Sequence, residues 1–490
     1  MLKRCLFALF LMPVLAGQAQ VVDPARMWQQ ATLYRDEWGT PHIAGDNLRS
    51  MAFAAGYAQA EDHLAEMMLA YRVANGRAAE ILGEAYASSD EFALRMGHED
   101  LALSVYPEAD AVTRDLCEGF AFGVNAYIVD FPDRVPPWVQ GVRPVDVLSL
   151  LHCYLMSFAP FDLPEVWRRS PAAHTGNAWA VGPGRSKTGE PMLFINPHTD
   201  YTGFFRWYEI HVSAPGLDLM GATLYGLPLP LQGHNGILGW ALTPNAPDTA
   251  DVYVEPEFKL TRNPKELAPP RLEEMVQAKL RGMMTPKKYY IGSGGKAGEE
   301  TVLTLQTPRG PVMGNYNDRL ITWQAGGYRD FGALRQIYEM GRSRTLEEFQ
   351  NALKPHQLPC FHIVYADRDG NIFYMYNAKV GDKIVAREVA AGAEDGGISI
   401  VPVDWDAPMP GDDPALNWGP IVAPDQLPML TNPPSGFLQA CGNPPWTATD
   451  MDAAVWLDAY PPWLIHDRDT YRARRVRALL RLGTRSFNDM

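Results

Sequence analysis

The sequence predicts an α+β protein in which helices and strands are segregated along the chain. Apolar residues recur at helical spacing between Met51 and Phe158. From Asn177 onward the pattern changes to short β-rich runs broken by turn residues. With 490 residues, 47% of them hydrophobic, the chain is long enough to bury a sizeable core as one large domain or two ordinary ones.

Thr32 to Ile43 reads as an extended segment with a turn. Met51 to Leu82 has helical periodicity in Phe53, Ala54, Tyr57, Leu64, Met67, Met68 and Leu82, interrupted by Asn75-Gly76 near Arg77. Leu101 to Asp130 is expected as one helix ending before Pro132, Pro136-Pro137-Trp138 as a loop, and Val145 to Phe158 as a further helix. Ser170 to His174 leads into the β-rich part. There, Ala178–Val181 and Met192–Ile195 flank a turn at Arg185–Glu190 and form a predicted hairpin. A second hairpin joins Phe361–Ala366 to Ile372–Tyr376 through Asp367-Arg368-Asp369-Gly370-Asn371. Gly182 to Thr188 is no phosphate loop, because no glycine directly precedes Lys187. The arginines at 468, 472, 474, 475, 477 and 481 fit the solvated face of an amphipathic helix that buries Val476, Leu479 and Leu480.

A net charge of −14 argues against nucleic acid as partner, since phosphate binding needs a basic face. Lys3 and Arg4, the apolar run Cys5–Leu15 and the small residues around Gly17-Gln18-Ala19 have the form of an export signal over residues 1–19. No later run is long and apolar enough for a membrane span. A periplasmic location is therefore expected. Export permits disulfides among Cys117, Cys153, Cys360 and Cys441; buried free thiols are the other reading.

Thr175-Gly176-Asn177-Ala178-Trp179, followed by Asn196-Pro197-His198, resembles the start of the β-chain in the penicillin acylase family. Other stretches resemble the same family in the same order. They are Tyr34 to Ile43, Phe53 to Asp62, Gly233-His234-Asn235 with Gly239-Trp240, and Gln439 to Trp446. The resemblance implies an N-terminal-nucleophile αββα sandwich with a mostly helical part, residues 20–175, before a β-chain-like part, residues 176–490. It implies hydrolysis of the amide bond in an N-acylated small molecule, either an acyl-homoserine lactone or a β-lactam side chain. In that chemistry the chain cuts itself, the new first residue attacks the amide, and its own α-amine acts as base. Two donors hold the oxyanion, a backbone N–H and an asparagine side chain.

Against that pattern the sequence departs at three places. The family's serine is Gly176, which has no hydroxyl; Thr175 is the nearest substitute. The backbone donor matches Pro244, which has no N–H, so Asn245 would have to serve. The catalytic asparagine matches Gly442, with Asn443 beside it. His198 matches a histidine found in relatives that act on aliphatic acyl chains. Asp248, Ala250 and Asp251, with Asp450, match the family's calcium ligands, and oxygen donors of this kind suit Ca²⁺. Aspartates capping a turn near Pro247 are the alternative. The sequence also stops where the family continues, which leaves open a separately encoded C-terminal half. Two functions follow: an acyl-amide hydrolase, or an inactive single-chain relative that binds an acylated ligand.

Overall fold

The computed structural model describes residues 24–158, 175–199, 201–256, 285–291, 298–316, 319–390, 398–451, 459–461 and 463–490. The expected export signal and the Ser170–His174 connection lie outside these residues.

The first part is helical, with α1 (Leu48–Ala74), α2 (Ala79–Leu82), α3 (Ala87–Met96), α4 (His98–Val105), α5 (Ala111–Asp130) and α6 (Pro144–Phe158). Asn47 starts α1 through a capping box, its side chain accepting from the Ser50 N–H at 2.9 Å. The break expected at Asn75-Gly76 is present, with Gly76 at φ +66°. The single helix expected over Leu101–Asp130 is instead two. Pro107 lies in a short 3-10 turn, Ala109 is extended, and Asp110 caps a fresh helix by accepting from the N–H groups of Val112 and Thr113. Helices α1 and α5 touch backbone to backbone. A Cβ at Gly123 would stand 1.9 Å from the Phe53 carbonyl oxygen, and one at Gly119 2.2 Å from that of Arg49.

The remaining elements, in chain order, begin with β1 (Ala31–Arg35) and β2 (Pro41–Gly45), which precede α1. After α6 come β3 (Thr175–Val181), β4 (Met192–His198), β5 (Trp207–Ala214), β6 (Leu217–Leu224), β7 (Gln232–His234), β8 (Leu238–Thr243), β9 (Ala250–Val254), β10 (Thr285–Ile291), β11 (Gly298–Thr304), β12 (Val312–Tyr316) and β13 (Arg319–Ala325). Then follow α7 (Ala333–Arg342), α8 (Leu346–Leu353), β14 (Cys360–Asp367), β15 (Ile372–Ala378), β16 (Ala386–Ala390), β17 (Ile398–Pro402), β18 (Met409–Pro410), β19 (Met429–Thr431), β20 (Phe437–Ala440) and α9 (Tyr471–Leu480). Both predicted hairpins form, as β3–β4 and β14–β15.

The large sheet has nine strands in the order β1-β2-β5-β6-β7-β8-β14-β15-β19, and a three-stranded sheet has the order β20-β3-β4. They lie face to face. Gly176 of β3 points at Thr243 of β8, and Gly239 of β8 points at Leu193 of β4. On the far side of the large sheet, Phe349 of α8 packs on Trp240 and Tyr365, with centroids 5.8 and 4.8 Å away. On the far side of the small sheet, Val181 and Phe437 pack with Leu480 of α9. The layers are therefore helix, sheet, sheet, helix, the αββα sandwich. The helical part is pinned to it by Gln59, which donates to the Leu227 carbonyl at 2.9 Å and accepts from the Gly226 N–H at 3.0 Å.

Of the two readings for the cysteines, the structure bears out buried free thiols at Cys117, Cys153, Cys360 and Cys441. Two expectations about the last helix change. Leu479, expected in the core, is 38% exposed, while Ala473 and Leu480 are buried. Three arginines of this segment are paired rather than merely solvated: Arg474 and Arg477 bind Asp469, and Arg481, just after α9, binds Asp450.

Within the helical part, His98 and His152 face each other, Nδ1 to Nδ1, at 2.8 Å, and His152 Nε2 lies 2.8 Å from the Tyr328 carbonyl oxygen. A carbonyl only accepts, so His152 donates from Nε2 and accepts from His98 at Nδ1. Burial pushes His152 down to about 4. The unfolded chain, with an ordinary histidine, takes up this proton first. Stability is therefore fullest above pH 6.5 and falls as the pH drops from there toward 4, by on the order of 3 kcal/mol. Urea midpoints at pH 7 and pH 4.5 should show this fall, and His152→Gln should reduce it. In the same assay Gly123→Ala should destabilise by about 1–3 kcal/mol, since the added methyl forces α1 and α5 apart.

Candidate active site

The candidate site lies where β3 enters the small sheet. Thr175 pairs with His198, Gly176 with Pro197 and Asn177 with Asn196. Alternation along β3 turns position 176 toward the large sheet and Asn177 away from it. A Cβ at Gly176 would meet Thr243 Cγ2 at 2.8 Å and Thr243 Cβ at 3.2 Å. A side chain here therefore needs Thr243 to move, so the space at position 176 is partly closed.

His198 is on the other face of the small sheet. Its Nε2 is 3.2 Å from the Asn177 amide and its Nδ1 is 3.4 Å from Arg472 Nη1. Arginine only donates, so His198 accepts at Nδ1 and carries its proton on Nε2. That orientation sets the Asn177 carbonyl oxygen, rather than its amide nitrogen, against the ring. Burial, and then the Arg472 charge, lower the His198 pKa and favour the neutral ring.

Gly442 lies two residues beyond the Ala440–Ala178 pair, beside the start of β3. Its φ of +72° is left-handed, and a Cβ there would approach Arg472 Nη2 to 3.1 Å. Arg472 Nε and Thr470 Oγ1 both donate to the Cys441 carbonyl, at 3.2 and 3.1 Å. A guanidinium thus stands next to the position assigned to the carboxamide. Nothing in its helical spacing distinguishes Arg472 from the exposed charged face formed by the rest of the arginine run. Its place at the start of α9, after the Thr470 cap, was the available signal.

The substitute carboxamide, Asn443, is engaged within its own turn, accepting from the Cys441 N–H at 2.8 Å and donating to the Pro444 carbonyl at 3.1 Å. Asn245 donates to the Asn377 carbonyl at 3.0 Å, and its buried Oδ1 has no partner. Pro244 does line an apolar cavity, together with Pro197, Tyr154, Phe158, Trp207 and Phe361. Pro197 pairs with Gly176 and Pro244 follows Thr243, so the cavity adjoins the site.

The expected calcium ligands do not fit a calcium ion. Asp248 and Asp251 come together, but Lys383 Nζ lies between them, 2.6 and 2.8 Å from their carboxylates. Asp450 is bound to Arg481 instead, at 2.6 Å. Ala250 begins β9 and pairs with Ala325. Among the described residues no three acidic, histidine or cysteine side chains form a metal-binding group. Burial raises the Asp251 carboxyl to about 6, against the opposing effect of Lys383.

A two-sheet sandwich with its site at the start of an inner strand defines an N-terminal-nucleophile architecture. The penicillin amidase family model matches residues 30–490, and the chain belongs to that family. It is 26% identical, over 96% of its own length, to the acyl-homoserine lactone acylase PvdQ of Pseudomonas fluorescens strain Pf0-1, and covers 65% of that relative. It is 23% identical to the penicillin acylase 2 proenzyme of Pseudomonas sp. strain SE83, over 90% of this chain and 61% of that one. A solved thermostable penicillin G acylase from Alcaligenes faecalis aligns with a TM-score of 0.44 and 21% identity, covering 64% of this chain and 50% of that one. The chain thus spans 65% and 61% of the length of these two curated relatives.

Restoring the hydroxyl alone should not restore self-cleavage. Gly176→Ser and the double variant Gly176→Ser, Thr243→Ser should both remain single chains by intact mass, because Pro244 and Gly442 still supply no oxyanion donors. Appearance of two fragments split before residue 176 would show that another group serves as the donor.

Proposed function

We propose that this chain binds N-acylated small molecules of the kind its relatives are named for, acyl-homoserine lactones or β-lactams with an amide side chain. The acyl group lies along the apolar cavity, which has about 20 Å³ of open space and widens to take it, and no acyl-enzyme forms at position 176. The observation that carries this reading is the juxtaposition of cavity and site. Pro197 and Pro244 line the cavity and adjoin Gly176 and Thr243, yet position 176 has no hydroxyl. Apolar walls recognise an acyl chain by burial, at roughly 0.8 kcal/mol per buried CH₂ group. This recognition is independent of the nucleophile. If the expected export signal operates, the protein meets such ligands in the periplasm.

Hydrolysis is the second reading, favoured by family membership and by Thr175, which immediately precedes Gly176 and pairs with His198. It requires cleavage before Thr175, so that the threonine α-amine becomes the base. Intact mass and N-terminal sequencing, followed by titration with N-dodecanoyl homoserine lactone, separate the two. A single chain that binds the lactone without releasing its amine supports the binding reading. A second chain starting at Thr175, with release of free homoserine lactone, overturns it in favour of the hydrolase. Leu242→Trp, which fills the cavity, should weaken lactone binding by roughly tenfold or more in calorimetry, a loss of at least about 1.4 kcal/mol.

A further inference from the structure

Asp248 and Asp251 flank the start of β9, directly after the Pro244–Asn245 segment that borders the candidate site. Both carboxylates are nearly fully buried, and a side chain from a distant part of the sequence reaches between them. Lys383 Nζ is 2.6 Å from Asp248 Oδ2, 2.8 Å from Asp251 Oδ2 and 3.3 Å from the Asp248 carbonyl oxygen. Three oxygens thus converge on one buried ammonium, whose side chain is 0% exposed. Around it stand three indoles. The Trp405 and Trp418 ring centroids are each 5.1 Å from Nζ, and that of Trp463 is 6.0 Å away. Each indole N–H is also placed. Trp418 donates to Asp251, Trp463 to the Lys383 carbonyl at 3.1 Å, and Trp405 to the Ile384 carbonyl at 2.8 Å. Gly381 makes room for Trp418, since a Cβ there would lie 2.6 Å from the indole ring.

Two adjacent buried carboxylates repel each other and need a cation. A divalent ion answers that need with oxygen ligands and water; an ammonium answers it with three N–H donors and aromatic faces. The groups assembled here are of the second kind. We propose that Lys383 is a built-in cation that takes the place of a metal ion between Asp248 and Asp251, so that the chain holds its site-bordering segment without calcium. The three indoles complete this site. They exclude water and offer π-faces to a monovalent charge, and they bring no oxygen ligands. The inference is independent of the ligand-binding reading, because it concerns folding and not the cavity.

The test uses the full chain, with thermal melting and elemental analysis as readouts. The purified protein should carry no stoichiometric calcium, and its Tm should be the same in EDTA and in millimolar CaCl₂. Lys383→Ala leaves the three oxygens and opens space for an ion. Its Tm should fall by on the order of 5 °C or more in EDTA and recover partly in CaCl₂. Lys383→Ala with Asp251→Asn should melt at the same temperature with or without calcium. One calcium per wild-type chain, or a folded Lys383→Ala that ignores calcium, would overturn the proposal. If Lys383→Ala yields no folded protein, the wild-type calcium content and melting decide it.

Discussion

The close approach of the two sheets along β3 and β8 constrains everything around it. Gly176, Ala178 and Ala180 on one strand face the large sheet, where Gly239, Ala241 and Thr243 are the inward residues of β8. Small side chains let the layers meet closely, and dense packing then allows little change in volume. The bulky residues are on the outside of the pair: Trp240 and Tyr365 under α8, Trp179 stacked on Phe194 at 3.9 Å, and Phe437 under α9. The site inherits this tightness. A side chain at 176 would project into the narrow space between sheets, against Thr243.

Fixed cations meet the acidic and polar groups that this packing buries. Lys383 stands between two buried carboxylates, Arg477 holds the partly buried Asp469, and Arg472 spans His198 and the Cys441 carbonyl. In an exposed setting such pairs contribute little; inside, losing one partner leaves an uncompensated charge. For a chain with a net charge of −14, Lys383, Arg472 and Arg477 matter more to the fold than the overall balance.

Much of the architecture was legible. The 3.6-residue periodicity of α1 and α6, the interruption at Asn75-Gly76 and the turn residues of both hairpins are local signals, and each produced its element. Pro107 is a local stop inside a long helical pattern, since its missing N–H ends the helix. The placement of β2 was not legible: it pairs in parallel with β5, far along the chain, after the whole helical part. Asn443 had the right chemistry as a substitute, but its amide bonds the backbone of its own turn. Only the path of the backbone reveals that.

By itself, the sequence determined the family and the broad order of helical and β-rich parts. An absent hydroxyl at 176, an absent N–H at 244 and an absent carboxamide at 442 are properties of residue type and hold in any fold. Tertiary structure decided what stands in their place. It set Thr243 against Gly176, Arg472 beside Gly442 and Lys383 between Asp248 and Asp251. These neighbours lie tens to hundreds of residues apart in the chain. Their meeting is fixed by sheet register and burial, which arise from the packing of the whole chain and leave no local pattern to read.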